Sequence, residues 1–413
     1  MKTKLSLAVA AALLAGASSA NAGIMIPAGD WTLDIGGVVN AYYTSTRATG
    51  TTNKTGYGAA FNTVNDGGEK TQANITTGLL PNYLSVSGKT RQNDLDVGFT
   101  ISINPGASTK QAGIQGAQQE NRQAFLTFGD KSWGSIKLGK DLGIFASDAI
   151  LNDMTLLGVG SGAGGLAGNT TTTGRIGTGF MYADWKSQAA YSSPNWNGFS
   201  FTAGVTQAWN AQSVGTDLLS ATSTGRGGAS PAFEGKASYE WAGDFGGKVW
   251  VSGITQKVKG LSTGVAGVKR NDRADAFDIG GNVNVAGFGL TGYYYTGDGI
   301  GQTVILNDGF DRTGNTRSSD GFYVQGTYTI PTVGTKIGLS YGESNLDGNS
   351  GEAATLQDLT DKMWTIGAYH PITKHLNLVA EYSDVKHEVS ATTAANATNS
   401  KGKTIALGAI LFF

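Results

Sequence analysis

The stretch Gly160 to Gly165, GSGAGG, has the G-x-G-x-x-G spacing of a turn that cradles a dinucleotide phosphate. Such a turn works because glycines let backbone N–H groups approach the anion. It needs a buried strand before it, a helix after it and an acidic residue about 20 positions later. Asp184 is within range, but no buried parallel strand precedes the glycines and no amphipathic helix follows them. The neighbourhood therefore excludes a nucleotide site.

Other candidate chemistry is equally thin. His370, His375 and His387 fall near the end, two of them flanking the turn HPITKH. A pair five apart across a turn lacks the i, i+4 helical spacing of zinc peptidases, so the histidines read as surface turn residues. No serine lies in a G-x-S-x-G elbow beside a plausible base, and no G-G-x-G-x-D calcium repeat occurs. With no cysteine, thiol catalysis, zinc–thiolate sites and disulfides are all excluded. The expectation is a protein with no catalytic residues, cofactor or metal.

The elements around these residues say more. Lys2 and Lys4, the apolar run from Leu5 to Gly16, and Ala20-Asn21-Ala22 together predict a signal peptide over residues 1–22, cleaved after Ala22. Without its two lysines the balance is 28 basic against 31 acidic residues, a net charge of −3, which argues against a nucleic-acid partner. No later stretch approaches the 18 apolar residues of a spanning helix, which leaves an exported soluble protein or a β-barrel. The 63 glycines and seven prolines suit either a disordered chain or an all-β one, and periodicity decides between them.

In Asp94 to Asn104, DLDVGFTISIN, the residues Leu95, Val97, Phe99, Ile101 and Ile103 alternate strictly with polar or small ones. FSFTAGV (199–205), FYVQGTYTI (322–330) and LNLVAEY (376–382) repeat that period of two, the mark of a strand between an apolar and a polar environment. Seven short turns, such as KTRQND (89–94) and AGFG (286–289), alternate with eight long loops rich in Gly, Thr, Ser and Asn. The pattern predicts an all-β fold, a 16-stranded antiparallel transmembrane β-barrel over residues 23–413. Hydrocarbon tolerates no unpaired backbone groups, so a spanning sheet must close and turn its apolar face outward. Sixteen strands leave a water-filled lumen. A soluble sandwich or solenoid would not explain two classes of connection in strict succession. In the last strand, TIALGAILFF, counting back by two from Phe413 gives Leu411, Ala409, Leu407 and Ile405 on the lipid face.

These residues resemble the general diffusion porins of Gram-negative outer membranes. YHPITKHLNLVAEYSDV (369–385) is similar to that family's penultimate hairpin, NRQAFLTFGDKSWGSIKLGKDLG (121–143) to its R-x-A-F hairpin, and YSSPNWNGFSF (191–201) to its Y-x-S-P turn. The resemblance implies a homotrimer in the outer membrane, surrounded by outer-membrane lipid and lipopolysaccharide. It makes Phe413 the assembly signal read by the barrel assembly machinery. It also implies passive diffusion of small hydrophilic solutes and ions past a constriction loop after strand five, about residues 141–180.

On that template Arg122 matches a wall arginine, although it shares parity with Ala124, Leu126 and Phe128. Arg175 and Lys186 are further basic candidates for the constriction. The family's acidic tip is missing, because Leu156 to Gly174 holds no carboxylate, so Asp148 and Asp153 are the acids available. Tyr83 and Ser85 stand on the inward face where the family carries an arginine. Gly160, Gly162, Gly164 and Gly165 then read as the side-chain-free tip that lets the loop double back. Two other readings stay open. One is a sugar-type porin with Tyr83, Tyr42 or Trp185 in an aromatic slide, and the other is a structural or adhesive barrel.

Overall fold

The computed structural model describes residues 23–50, 69–109, 119–163, 170–213, 220–262, 271–352, 356–393 and 398–413. The expected signal peptide, Gly164 and Gly165 lie outside the described residues. Sixteen antiparallel strands close into a barrel. The first five are β1 (Trp31–Gly50), β2 (Tyr83–Gln92, with an upper segment Thr71–Thr76), β3 (Leu95–Pro105), β4 (Ala124–Asp130, with an upper segment Gln119–Glu120) and β5 (Gly134–Leu142). There follow β6 (Trp185–Ser192), β7 (Phe199–Thr206), β8 (Ala232–Trp241), β9 (Phe245–Lys259), β10 (Asn271–Val285) and β11 (Phe288–Asp298). The last five are β12 (Ser318–Thr329), β13 (Lys336–Asp347), β14 (Asp358–Pro371), β15 (Leu376–Ser390) and β16 (Thr398–Phe412).

Period-two alternation sorts the side chains as lipid and water demand. On β3 Ile101 is 55% exposed on the outside, while the neighbouring Ser102 is 2% exposed within the lumen. Val39, Leu290, Leu339 and Leu407 continue the outer apolar belt. Trp196, Phe199, Tyr239, Phe245 and Phe288 stand exposed toward its short-turn end, where amphipathic rings suit a membrane interface. The tight turns carry the required backbone: Asn93 and Asp94 lie at φ 50° and 60°, as a two-residue hairpin with right-handed strand twist demands.

Two irregularities in the ladder matter for the interior. Between the two segments of β2, residues 77–82 leave the sheet, and the Asn40 side chain replaces the missing ladder bonds. Its Nδ2 donates to Leu80 O at 2.9 Å and its Oδ1 accepts Gly78 N–H at 2.8 Å. In β4, Asn121, Arg122 and Gln123 oppose only Ser102 and Ile103, since Asn104 pairs with Glu120 and Ile101 with Ala124. This is a β-bulge, and its extra residue re-aims the side chains above it.

The barrel closes where β1 pairs with β16 from Val38↔Phe412 to Gly50↔Ser400. Ile24–Ala28 pairs with Trp31–Ile35 and continues the line of β16 along β1. Phe413 exchanges two backbone hydrogen bonds with Gly37, at 2.8 and 3.0 Å. A Cβ on Gly37 would stand 2.3 Å from Tyr83 O and 2.7 Å from the Phe413 ring. Gly37→Val is therefore expected to abolish the heat-modifiable folded band on a denaturing gel, and a normal yield of that band would refute this account of closure.

Candidate constriction site

The connection from β5 to β6, residues 143–184, turns into the lumen immediately. Glu234, on the inward face of β8, accepts the consecutive N–H groups of Ile144 and Phe145 at 2.8 and 2.9 Å. Lys186 Nζ and Thr206 Oγ1 complete that carboxylate, so its four donors leave no lone pair unmet. Both members of the Lys186–Glu234 pair are fully buried.

A short helix, α1 (Ser147–Asn152), then crosses the barrel. Asp148 in its first turn is 3.0 Å from Lys236 Nζ and 2.6 Å from Lys248 Nζ. Burial works to raise the Asp148 pKa, but the two ammonium groups outweigh it and hold the carboxyl below its usual range. Tyr323 Oη donates to Ala149 O at 2.9 Å. Gln325 spans the helix end, donating to Asn152 O at 2.7 Å and accepting from Met154 N at 2.8 Å, which satisfies groups a helix terminus leaves open. Asp153 caps the following 3₁₀ turn (Met154–Leu157) through Thr155 N and lies 3.7 Å from Arg175 Nε. Full burial pushes the Asp153 carboxyl up despite that partner. Arg175, itself fully buried, donates to Met363 O at 3.1 Å and to Ser340 Oγ.

The glycine run follows, and it does hold an anion. The N–H groups of Val159 and Gly160 both donate to Glu381 Oε2 on β15, at 2.7 and 2.8 Å, and Tyr369 Oη donates to Glu381 Oε1 at 2.6 Å. Gly160 sits at φ 58°, and a Cβ there would lie 2.7 Å from the Gly174 backbone. Gly162 faces the wall, its virtual Cβ 2.9 Å from Thr46 Oγ1. The chain then returns alongside itself, with Ser161 N–H donating to Gly174 O at 2.9 Å. The wall break at residues 77–82 meets this loop through Leu79 N–H and Gly158 O at 2.8 Å. Tyr42 is fully buried and props the loop by donating to Leu157 O at 2.8 Å.

Arg122 has a different setting. The bulge turns it inward, where Nε donates to Glu120 at 2.7 Å, Nη2 to Thr170 Oγ1 at 3.4 Å, and the guanidinium stacks 5.7 Å from the Trp185 ring centroid. It lines a chamber of about 920 Å³ between the inner loop and the β4–β7 wall. Tyr83 and Ser85 face inward on β2, alternating with the outward Leu84.

The structure thus gathers Arg175 with Asp153, and Asp148 with two wall lysines, while Lys186 pairs with Glu234 some way off. Sequence reasoning missed Glu234, Glu381, Lys236 and Lys248. Their one signal was a charged residue at an inward position of an otherwise apolar-alternating strand, as in LNLVAEY. His387 also departs from the turn reading. It is buried on β15, with Nδ1 2.7 Å from Asp361 Oδ1 on β14.

A family model described as Gram-negative porin matches residues 7–390. No curated protein matches the chain. Among solved structures, the outer membrane channel DcaP of Acinetobacter baumannii is 16% identical with a TM-score of 0.69, covering 95% of this chain and 100% of its own. The anion-selective porin from Comamonas acidovorans is 14% identical with a TM-score of 0.59, covering 93% and 100%. A trimer form of OmpT from Vibrio cholerae is 14% identical with a TM-score of 0.53, covering 92% and 99%.

Removing the Glu381 carboxylate leaves two buried N–H groups unpaired, at about 1–3 kcal/mol each. Glu381→Ala is therefore expected to assemble a heat-modifiable barrel in which trypsin gains access to Arg175, with Glu381→Gln intermediate. Wild-type resistance in both variants would show that Glu381 does not hold the loop.

Proposed function

The chain belongs to the Gram-negative porin family, and on that premise we propose that small hydrophilic solutes and ions diffuse through the outer membrane along its lumen, sorted where residues 143–184 narrow it. The observation that carries this reading is the suspension of that loop across the barrel by Glu234 and Glu381 on opposite walls. An aqueous pore selects by its narrowest section and by the charges there, which low-dielectric walls make effective at a distance.

The candidate charges divide the work. Asp148, Asp153, Arg175 and Lys186, all buried in ion pairs, set the bore by fixing the loop. Arg122 lines the passage and acts on solutes directly, with Tyr83 and Ser85 on the wall below it. The described glycines, Gly160 and Gly162, keep the loop close to β1, β15 and β16. Gly164 and Gly165 complete the same run. We take residues 1–22 as a signal peptide and residues 23–413 as the mature barrel, inserted through the barrel assembly machinery by way of Phe413. A homotrimer set in outer-membrane lipid and lipopolysaccharide is the working assembly, and the trimer form of the Vibrio cholerae OmpT supports it. No reaction and no cofactor enter this function.

Reconstituted in a planar bilayer, the protein is expected to give steady open steps of current. Arg122→Glu should move the reversal potential in a KCl gradient toward cation preference. Gly162→Trp, which forces the loop off Thr46, should lower the unit conductance with barrel assembly intact. A barrel that carries no current would overturn the channel reading, and unchanged values in both variants would remove the loop and Arg122 from the constriction.

A further inference from the structure

The chamber beside Arg122 is built unlike a simple aqueous vestibule. Part of its lining is apolar, the edges of Leu79 and Leu80 from the wall break, of Ile150 and Leu156 from the inner loop and of Ile305 from the β11–β12 connection, beside polar groups such as Gln207, Asn210 and Asn307. Trp185 and Trp209 stand on its side. Trp185 Nε1 donates to Tyr182 Oη at 2.8 Å, and the Trp209 backbone exchanges two bonds with Gln256, at 2.9 and 2.7 Å. Aromatic walls beside aliphatic edges fit a solute with a flat or branched apolar body.

The polar groups of this chamber are spent unequally. Both Glu120 oxygens are engaged, one by Arg122 Nε and the other by Thr170 Oγ1 at 2.6 Å, and Asp184 accepts Trp185 N–H at 2.6 Å. The cationic side keeps unused donors. Arg122 is 6% exposed, and its Nη1 has no hydrogen-bond partner among the described residues. The exposed guanidinium of Arg226, which also lines the chamber, has no partner among them either. Thr173 Oγ1, another lining group, is buried with no hydrogen-bond partner among the described residues. Unpaired donors in a confined site favour an acceptor that carries charge, since charge-assisted bonds to arginine are the strong ones.

We propose that this chamber is a binding site for an amphipathic anion, a small carboxylate with an aromatic or branched aliphatic body. The carboxylate is held by Arg122, and the body lies on the Leu79–Ile150 edge against Trp209. The proposal rests on the channel reading for the solute's route to the site, while binding is measured without current.

Isothermal titration of the full-length refolded protein in detergent with phenylacetate, acetate and 2-phenylethanol tests it. Phenylacetate should bind saturably at millimolar concentration, and the other two at least about tenfold more weakly, because each lacks one of the two matched features. Arg122→Gln and Trp209→Ala, each checked for the heat-modifiable folded band, should each weaken phenylacetate by about tenfold. Equal affinity for all three probes, or wild-type affinity in both variants, overturns the site. A protein that binds phenylacetate selectively but carries no KCl current sinks the channel reading and leaves the site standing. One that conducts KCl but binds the probes alike sinks the site and leaves the channel.

Discussion

The interior of this barrel depends on a carboxylate that accepts two consecutive peptide N–H groups. The arrangement occurs twice, at Glu234 with Ile144 and Phe145, and at Glu381 with Val159 and Gly160. Each wall glutamate sits in the lumen at an inward strand position, and each offers the loop an anion where its backbone has donors to place. Charge-assisted bonds of this kind contribute about 1.5–3 kcal/mol each. They are also directional, so they fix where the chain may run as well as whether it is held.

Anchors alone do not order a connection of this length. Fixing a backbone costs about 1–2 kcal/mol per residue, and four such bonds offset only a small part of that. The remainder comes from a core inside the barrel. Phe145, Ile150, Phe180 and Met181 from the loop pack with Ile300, Leu306 and Phe310 from the β11–β12 connection and with Trp250, Tyr293 and Tyr323 from the wall. Apolar area removed from water contributes about 25 cal/mol per Å², and this cluster buries many large side chains. The glutamates therefore set position, and the core supplies most of the stability. The same division explains why the buried Arg175–Asp153 pair persists. Its charges are partly compensated by Ser340, Met363 and Thr155, and their value lies in registering the loop against β13 and β14.

Much of the barrel was legible in the sequence because period-two alternation is a local signal. DLDVGFTISIN predicts an outward Ile101 and Ile103, and both are exposed, while Ser102 and Asn104 are buried. The site was less legible, since its geometry depends on contacts between distant positions. Arg122 shares parity with Ala124 and Leu126, which point outward, and only the extra residue in β4 reverses it. A bulge of this kind carries no distinctive composition. Asp148 was visible as an acid in the right loop, but its partners Lys236 and Lys248 lie on strands β8 and β9, about 90 to 100 positions away. His387 was misread because its partner, Asp361, is brought to it by strand pairing between β14 and β15.

The glycine run shows how a motif's spacing can be met without the motif's ligand. The spacing of GSGAGG signals backbone N–H groups free to converge on an anion, and in this fold the first of them, that of Gly160, does so together with the N–H of Val159 just before the motif. The anion is supplied by the protein's own wall at Glu381, so no phosphate is required. Glycine is needed at 160 for its positive φ and its contact with Gly174, and at 158 because a Cβ would meet the Glu381 carboxylate at 2.1 Å. What separates a nucleotide turn from a loop anchor is therefore the origin of the negative charge, and that is a property of the fold around the motif. In this lumen, an inward glutamate opposite a glycine-rich segment fixes the course of the loop's backbone while the apolar core beside it supplies the stability.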